Sequence, residues 1–265
     1  MEEKLIIPVN IERLSEDMVF SKQDVVMIEQ PLQMDALGPE GNMSRISITM
    51  RTPGHDAELA LGFLFNEGLL QTGDAASVAN HTDNNILIKM NHNIQGQASK
   101  RNFLMTSSCG VCGKSELNDL KINAPVRKIV HTLDHRNISS MYEWLKKEQK
   151  AFAETGGCHG AGVFDYEGHM ITGREDVGRH NAVDKCAGYL WENNLLEKEE
   201  YVLCLSGRGC YELIQKAIRM NCTTVICIGA VTSLAIETAY QYGITLIGFF
   251  KPYNFNIYTY KERII

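Results

Sequence analysis

Hydrophobic and polar positions follow different spacings in the two halves of the chain. In the first hundred residues short apolar runs alternate with polar breaks, and the runs at 24–28, 44–50 and 86–90 are predicted strands. The segment 57–70 is apolar at helical density and follows a turn ending in Asp56, a residue type that caps helices. This half is therefore predicted to be a small α+β unit.

Strand and helix patterns alternate from Gly160 onwards. The predicted strands are 161–165, 201–205, 224–228 and 244–249, and the predicted helices are 138–154, 180–192, 210–220 and 232–242. Such alternation indicates an α/β layer with a mostly parallel sheet, with one antiparallel hairpin where 165–168 turns the chain. The intervening residues 118–137 lack a firm period and are predicted to be a connector. The resulting domain boundaries are 1–100, 101–137 and 138–265.

Composition narrows the classes of partner. The 265 residues are 44% hydrophobic, and 26 Lys plus Arg against 32 Asp plus Glu give a net charge of −6. This balance provides no general field for nucleic acid or an anionic membrane, so neither is a predicted partner. The start of the chain lacks the features of a secretory signal, and the longest nearly uncharged stretch, 221–238, falls short of a membrane span. A cytoplasmic location is predicted.

Cys109 and Cys112 form a close thiol pair among small residues. Such a pair performs sulfur chemistry or supplies half of a metal site. No second C-x-x-C occurs, and no metal ligand is predicted. A zinc deaminase has P-C-x-x-C with an upstream H-x-E, but here Ser108 replaces the proline and the segment from His55 to Glu58 has the wrong spacing. Sulfur transfer needs the thiolate, which backbone donors and Lys114 can favour.

Glycine-rich turns mark a second candidate site. Ser206, Gly207 and Arg208 follow a predicted strand and lead into a helix. Ligands bind beyond the carboxyl ends of parallel strands, and free N–H groups at a helix start attract phosphate. The turn is therefore either a phosphate cradle or an ordinary tight turn. No P-loop signature is present.

A strongly polar segment, 173–185, precedes the next helix. Its residues at the predicted helix start are Gly178, Arg179, His180 and Asn181. Arginine and histidine at a helix start can bind phosphate, and Asp176 or Asp184 can accept from the N–H edge of guanine. The alternative is a solvated turn. Upstream, Cys158 adjoins His159, but successive strand side chains point apart, so adjacency alone does not make a catalytic pair.

Six segments together resemble the formate dehydrogenase accessory sulfurtransferase (FdhD) family. They are RTPGHDAELALGF at 51–63, RNFLMTSSCGVCGK at 101–114, TGG at 155–157, REDVGRHNAVDK at 174–185, LSGR with YELIQKA within 205–217, and GFF with IYT within 248–259. The resemblance implies a persulfide carrier that takes sulfur from a cysteine desulfurase. It implies delivery to the molybdenum (or tungsten) bis-guanine-dinucleotide cofactor of formate dehydrogenase, with Cys109 as the persulfide cysteine and Cys112 as its partner.

The same resemblance implies a cytidine-deaminase-like second domain and a homodimer. It also implies that a loop after the last strand contacts the cofactor, which corresponds to Phe249, Phe250, Lys251, Pro252, Tyr253 and Asn254. Only Lys251 is cationic there, and Tyr253 or Phe250 is expected to stack on pterin or guanine. Two alternatives remain, a chaperone that binds the cofactor without chemistry and, more distantly, a zinc nucleobase deaminase.

Overall fold

The computed structural model describes residues 4–94 and 124–265, and these form three sheets and six α-helices. The strands are β1 (Ile6–Ser15), β2 (Met18–Met27), β3 (Gln30–Leu37), β4 (Met43–Arg51), β5 (Ala76–Thr82), β6 (Asn85–Met90), β7 (His159–Phe164), β8 (Met170–Asp176), β9 (Tyr201–Leu205), β10 (Cys222–Cys227), β11 (Thr245–Lys251) and β12 (Asn254–Thr259). The helices are α1 (Asp56–Asn66), α2 (His135–Glu148), α3 (Lys150–Thr155), α4 (Arg179–Glu192), α5 (Tyr211–Arg219) and α6 (Ser233–Tyr242).

The fold is mixed α/β, and its largest sheet is not mostly parallel as predicted. Its strand order is β12-β11-β10-β9-β7-β8. Only β9–β10 and β10–β11 pair in parallel, whereas the other three neighbouring pairs are antiparallel. The prediction missed β12, which returns beside β11 through a short hairpin instead of crossing over by a helix. The hairpin between β7 and β8 is confirmed.

The first half contains more strands than its apolar runs indicated. A four-stranded sheet has the order β4-β3-β6-β5, and β1 and β2 form a separate antiparallel ribbon. The predicted strands at 44–50 and 86–90 are confirmed as β4 and β6, whereas 24–28 is the end of the much longer β2. Much of the ribbon is exposed, so its alternation carried little hydrophobic signal.

Two predicted helices have different limits. The helix predicted at 57–70 ends at Asn66, because Gly68 adopts a left-handed conformation and Leu69 turns back to donate to the Leu64 carbonyl. The helix predicted at 138–154 is two helices, α2 and α3, which meet at the non-helical Gln149. The Glu175 carboxylate from β8 accepts from the first N–H groups of α3, a contact distant in sequence. Helix α2 also begins inside the predicted connector.

Both halves contribute to one large hydrophobic core. Helix α1 packs against α4, and a β-carbon at Gly62 or Gly188 would overlap backbone atoms of the opposite helix. A smaller cluster lies between α2 and the other face of the six-stranded sheet. The three predicted domain boundaries remain predictions. Within the described residues, none of the helices has the length and apolar character needed to span a bilayer.

Candidate functional site

The site lies at the carboxyl ends of β9 and β10. The turn 206–209 follows β9, and the turn 228–232 follows β10. Gly229 N donates to Gly207 O and Gly209 N donates to Ala230 O, each at 3.0 Å, which holds the two turns side by side. The hydroxyl of Ser206 accepts from Gly160 N at 2.9 Å and so anchors the first turn to β7. The glycine-rich turns are therefore a rigid edge of the sheet.

Two helices begin at this edge without a side-chain cap. Gly178, which precedes α4, has no side chain, and the side chain of Cys210, which precedes α5, makes no capping hydrogen bond. Helix α6, by contrast, is capped by the Thr232 hydroxyl. The uncapped N-termini carry partial positive charge and free donors, which favours an anion beside α4 and α5.

Three cationic or titratable side chains surround these helix starts. Arg208 is exposed on the first turn, and Arg179 is half-buried at the start of α4. The His159 ring lies against Gly207, where an added β-carbon would approach Nδ1 to 3.4 Å. Burial, followed by the charges of Arg179 and Arg208, lowers the pKa of His159. The two guanidinium groups therefore act on the same point, and they make this edge electropositive.

A cleft of about 520 Å³ adjoins the electropositive edge. Tyr142, Phe152, Gly156 and Gly157 give it apolar walls, and Lys146 and His159 add polar groups. The Gln149 side chain is buried in its lining, and its Nε2 finds no acceptor among the described residues. An aromatic heterocycle fits such a cleft, since it offers flat faces to the rings of Tyr142 and Phe152.

A second group of side chains meets where α4 and α5 begin. His180 Nε2 lies 3.8 Å from Cys210 Sγ, and Glu212 hydrogen-bonds the same thiol. Ligand atoms of all three residues lie within 4.8 Å of one another. Burial, with help from the charges of Lys216, Arg179 and His159, lowers the pKa of His180 to about 3, so the imidazole is neutral.

Most residues of the polar segment 173–185 are buried, away from both solvent and the site. Their side chains join the first half of the chain to the second. Asp176 is fully buried, accepts from the backbone N–H of Thr52 and Gly178, and pairs with Lys185 at 2.8 Å. Asn181 donates to Met50 O and to Asp176. The amide nitrogen of Asn181 is therefore already bonded within the protein, which conflicts with its predicted role as a cofactor ligand. Gly178 is buried, and its N–H is also in use.

Asp184 has a structural role as well. It accepts from Asn66 Nδ2 at 2.7 Å and pairs with Lys216 at 2.6 Å, and all three side chains are buried. Neither Asp176 nor Asp184 is therefore free to accept from guanine, as the sequence analysis had allowed. Of the segment, Arg179 and His180 remain at the site.

The predicted loop at 249–254 is the tip of the β11–β12 hairpin. Phe249, Lys251, Pro252, Tyr253 and Asn254 are exposed, and Phe249 N donates to Gly229 O, which places the hairpin beside the glycine-rich turns. Phe250 differs. It is 1% exposed and packs on Tyr142 and Phe255 with ring centroids 5.5 Å apart, so no face is open for stacking. Tyr253 is 81% exposed, so its ring is accessible for stacking.

Cys109 and Cys112 lie outside the described residues. Of the six cysteines within them, all are free, and burial raises the pKa of each thiol. Cys158 also donates to the Glu175 carboxylate at 3.1 Å, which favours its protonated form further. Neutral thiols are poor nucleophiles, so none of these six has the properties of a sulfur-transfer cysteine.

Several site residues were missed from the sequence. Tyr142 lies on α2, Phe152 lies on α3, and Gln149 lies between the two helices. They line the cleft because the chain passes from α2 through α3 to β7, which sequence periodicity does not show. Cys210 and Glu212 drew no attention because their partner His180 is 30 residues away from Cys210. The one local signal for the cleft was the glycine pair 156–157, which belongs to the TGG segment at 155–157.

Two sequence patterns typical of zinc sites have other uses here. In the segment from His55 to Glu58, Asp56 pairs with Arg51 and Glu58 pairs with Arg174. The spacing H-x-x-x-H occurs at His131 and His135. The His131 ring packs on Tyr166, and His135 Nδ1 lies 2.9 Å from the Ile265 carbonyl oxygen.

The fold and site together define a class, namely a mixed α/β protein whose sheet edge combines helix N-termini, arginines and an adjacent cleft. The model of the FdhD/NarQ family matches residues 27–265, and the chain therefore belongs to the FdhD/NarQ family. It is 39% identical over 244 residues to the sulfur carrier protein FdhD of Picrophilus torridus, covering 91% of this chain and 92% of the relative.

Two further comparisons agree. The sulfur carrier protein FdhD of Sulfurisphaera tokodaii is 40% identical over 248 residues, covering 92% of this chain and 93% of the relative. The fold matches the crystal structure of a protein from Desulfotalea psychrophila that is described as a formate dehydrogenase accessory protein. That match has a TM-score of 0.81 at 21% identity and covers 99% of this chain and 100% of the other.

Proposed function

We propose that this protein is a sulfur carrier and sulfurtransferase for formate dehydrogenase maturation. It accepts a persulfide sulfur from a cysteine desulfurase and passes it to the molybdenum (or tungsten) bis-guanine-dinucleotide cofactor, which is its substrate. The work is done in the cytoplasm by a homodimer with a cytidine-deaminase-like second domain. The names of the two relatives, sulfur carrier proteins at 39% and 40% identity, support the carrier role.

The electropositive edge is the observation that carries the cofactor part of the proposal. The uncapped starts of α4 and α5, with Arg179 and Arg208, suit a pyrophosphate. The adjoining cleft, with its aromatic walls, suits a guanine or pterin ring. Ser206 and Gly207 shape this edge, and Tyr253 offers a ring at its rim.

The sulfur chemistry is assigned to Cys109, with Cys112 as its partner. The six described thiols all have raised pKa values, which leaves the close pair as the nucleophile. The Cys109 thiolate attacks the outer sulfur of the desulfurase persulfide, a new S–S bond forms, and the desulfurase cysteine leaves as a thiolate. The Cys112 thiolate then attacks the Cys109 sulfur, which breaks the persulfide bond, releases the carried sulfur to the cofactor at the sulfide level and leaves a Cys109–Cys112 disulfide that an external thiol reduces.

Peptide mass spectrometry tests the carrier step. The protein is incubated with an active cysteine desulfurase and cysteine, and we expect one added sulfur atom on Cys109 that a reductant removes. Cys109→Ala should carry no such sulfur and should fail to activate formate dehydrogenase, while the control Cys222→Ala, at the end of β10 opposite the site, keeps both activities. Full activation by Cys109→Ala would contradict the proposal.

The second candidate is a chaperone that binds the cofactor and performs no chemistry. It is favoured by the observation that the described site contains binding groups but no reactive thiol. This candidate predicts that Cys109→Ala and Cys112→Ala leave both cofactor binding and enzyme activation intact. Retained binding with lost activation would reject it in favour of the carrier.

A further inference from the structure

Helices α4 and α5 bring an imidazole, a thiol and a carboxylate to one point. His180 belongs to the first turn of α4, Cys210 immediately precedes α5, and Glu212 belongs to its first turn. Their ligand atoms lie within 4.8 Å of one another. Because both helices start at the same edge of the sheet, the grouping follows from the fold and not from any sequence spacing.

The imidazole lacks a strong hydrogen bond. Its residue is 3% exposed, and among the described residues its one polar contact is the 3.8 Å approach of Nε2 to Cys210 Sγ. Buried polar side chains normally have partners, so an unsatisfied ring calls for a physical reason. The thiol it faces is half-buried and hydrogen-bonds Glu212. A metal ion bound at Nε2 would replace this weak contact with the thiol, whereas the buried atom without a partner, Nδ1, is the other ring nitrogen.

We propose that His180 Nε2, Cys210 Sγ and the Glu212 carboxylate form a binding site for one divalent transition-metal ion of the zinc class. No part of this inference rests on the proposed persulfide chemistry, since Cys109 and Cys112 do not contribute ligands.

The separation of His180 and Cys210 and the atom types of all three residues fit such an ion. Zinc binds nitrogen at about 2.05 Å and thiolate sulfur at about 2.3 Å, which puts two tetrahedral ligands about 3.6 Å apart. The observed 3.8 Å between His180 and Cys210 is close to that value. A mixed N, S and O set suits zinc or cobalt(II), and not magnesium or calcium, which prefer oxygen alone. Three protein ligands leave one position open.

The N-termini of α4 and α5 and the charge of Arg179 oppose a cation here, and the charges of the ionised Cys210 and of Glu212 have to outweigh them. Lys216 is paired with Asp184 at 2.6 Å, so its charge is largely compensated. Arg179 remains as a nearby positive charge. Without metal, the Cys210 thiol proton is hydrogen-bonded to Glu212. When the metal binds, the thiol loses this proton to the buffer and the thiolate becomes a ligand. The thiolate and the Glu212 carboxylate then supply two negative charges beside the ion.

Metal binding to the full chain tests this site directly. The background variant carries Cys109→Ser and Cys112→Ser, which removes the other thiol pair. After treatment with a chelator, this protein is titrated with Zn²⁺, and metal content is measured after gel filtration. Titration with Co²⁺ monitors the thiolate-to-cobalt charge-transfer absorption. We expect one ion per chain together with that absorption.

Single substitutions then identify the ligands. Cys210→Ser should abolish the charge-transfer band, and His180→Gln or Glu212→Gln should weaken zinc binding by about 100-fold or more. Cys158→Ser, which changes a thiol lining the cleft outside the trio, is the matched control and should bind like the background. Glu212 is only partly buried, so Glu212→Gln keeps the test valid if His180→Gln does not fold. Absence of bound metal in the background, or equal binding by folded Cys210→Ser, would overturn the assignment.

Discussion

At the scale of single residues, neighbouring motif positions have separate roles. Arg208 is exposed at the edge of the site, whereas Asn181, equally a candidate ligand from the sequence, is buried with its amide bonded to Met50 O at 2.8 Å and to Asp176 at 3.0 Å. A residue with satisfied polar atoms contributes to folding, and one with free donors is available to a ligand.

This difference predicts opposite phenotypes for the two substitutions. Asn181→Ala should lower the free energy of unfolding by about 2 kcal/mol, because Asp176 and the Met50 carbonyl lose a buried donor. Arg208→Ala should leave stability unchanged and weaken guanosine diphosphate binding about tenfold. Urea denaturation and isothermal titration calorimetry measure the two effects. Weakened binding by a stable Asn181→Ala protein would instead support the ligand role.

The hairpin residues Phe250 and Tyr253 provide a second contrast. Phe250→Ala should destabilise the protein by about 3–5 kcal/mol, since it removes a buried ring from its contacts with Tyr142 and Phe255. Tyr253→Ala removes an exposed ring and should change stability by less than about 0.5 kcal/mol. Denaturant midpoints check both values. Equal effects would mean that the hairpin packs differently from the structure.

At the scale of elements, the crossing of α1 and α4 depends on two glycines. Gly62 and Gly188 face the opposite helix, where the backbone of Asp184 or Glu58 occupies the space that a β-carbon would need. Glycine normally lowers helix stability relative to alanine by about 1 kcal/mol. Here the close backbone approach outweighs that propensity.

Gly62→Ala should therefore destabilise the protein despite its better helix propensity. We expect a loss of about 3 kcal/mol or more, because the obstructing atoms are backbone atoms that cannot rotate away. The control is Gly173→Ala in β8, whose added β-carbon would meet no atom closer than the flexible Met170 sulfur at 3.3 Å. Thermal denaturation of both variants is the measurement. A stabilised Gly62→Ala protein would show that the helices are further apart.

At the scale of the whole molecule, buried and half-buried ion pairs join the two halves. The Arg174 guanidinium from β8 binds both oxygens of Glu58 on α1, each at 2.6 Å. Burial alone would raise the pKa of Glu58, but the hydrogen bonds and charges of Arg174 and His55 outweigh it and lower the pKa. Such partly buried bidentate pairs contribute more than surface pairs.

Glu58→Gln should lower the free energy of unfolding by about 2 kcal/mol at neutral pH, because it leaves Arg174 without its carboxylate. Since the pKa of Glu58 is lowered in the folded protein, the unfolded chain takes up the proton first as pH falls below about 4.5. The wild type therefore loses this stabilisation in acid, and its difference from the variant shrinks. Urea denaturation at pH 7, 5 and 4 measures the difference.

The exposed Glu154→Gln substitution controls for loss of a carboxylate elsewhere and should stay within about 0.5 kcal/mol of wild type. A difference between Glu58→Gln and wild type that stays constant from pH 7 to pH 4 would contradict the assigned role of the ion pair.

Local pattern was sufficient for the elements with strong hydrophobic contrast. The predicted limits of 201–205 match β9, and α4, α5 and α6 begin within a residue of prediction, because buried strands and helices there have clear apolar periods. The antiparallel β12 was missed, and so was the exposed β1–β2 ribbon apart from the end of β2. Their pairing depends on neighbours and not on their own apolar content, so sequence periodicity does not show it.

The amino-acid sequence by itself determined the α/β character of the second half, the glycine-rich turns and the close thiol pair at Cys109 and Cys112. It marked the segment 173–185 as important but did not show its role. Only the tertiary structure decided that Asp176, Asn181 and Asp184 join the two halves and that His180 meets Cys210. The reason is physical: hydrogen bonds and ion pairs act over a few ångströms, and folding brings together partners more than a hundred residues apart.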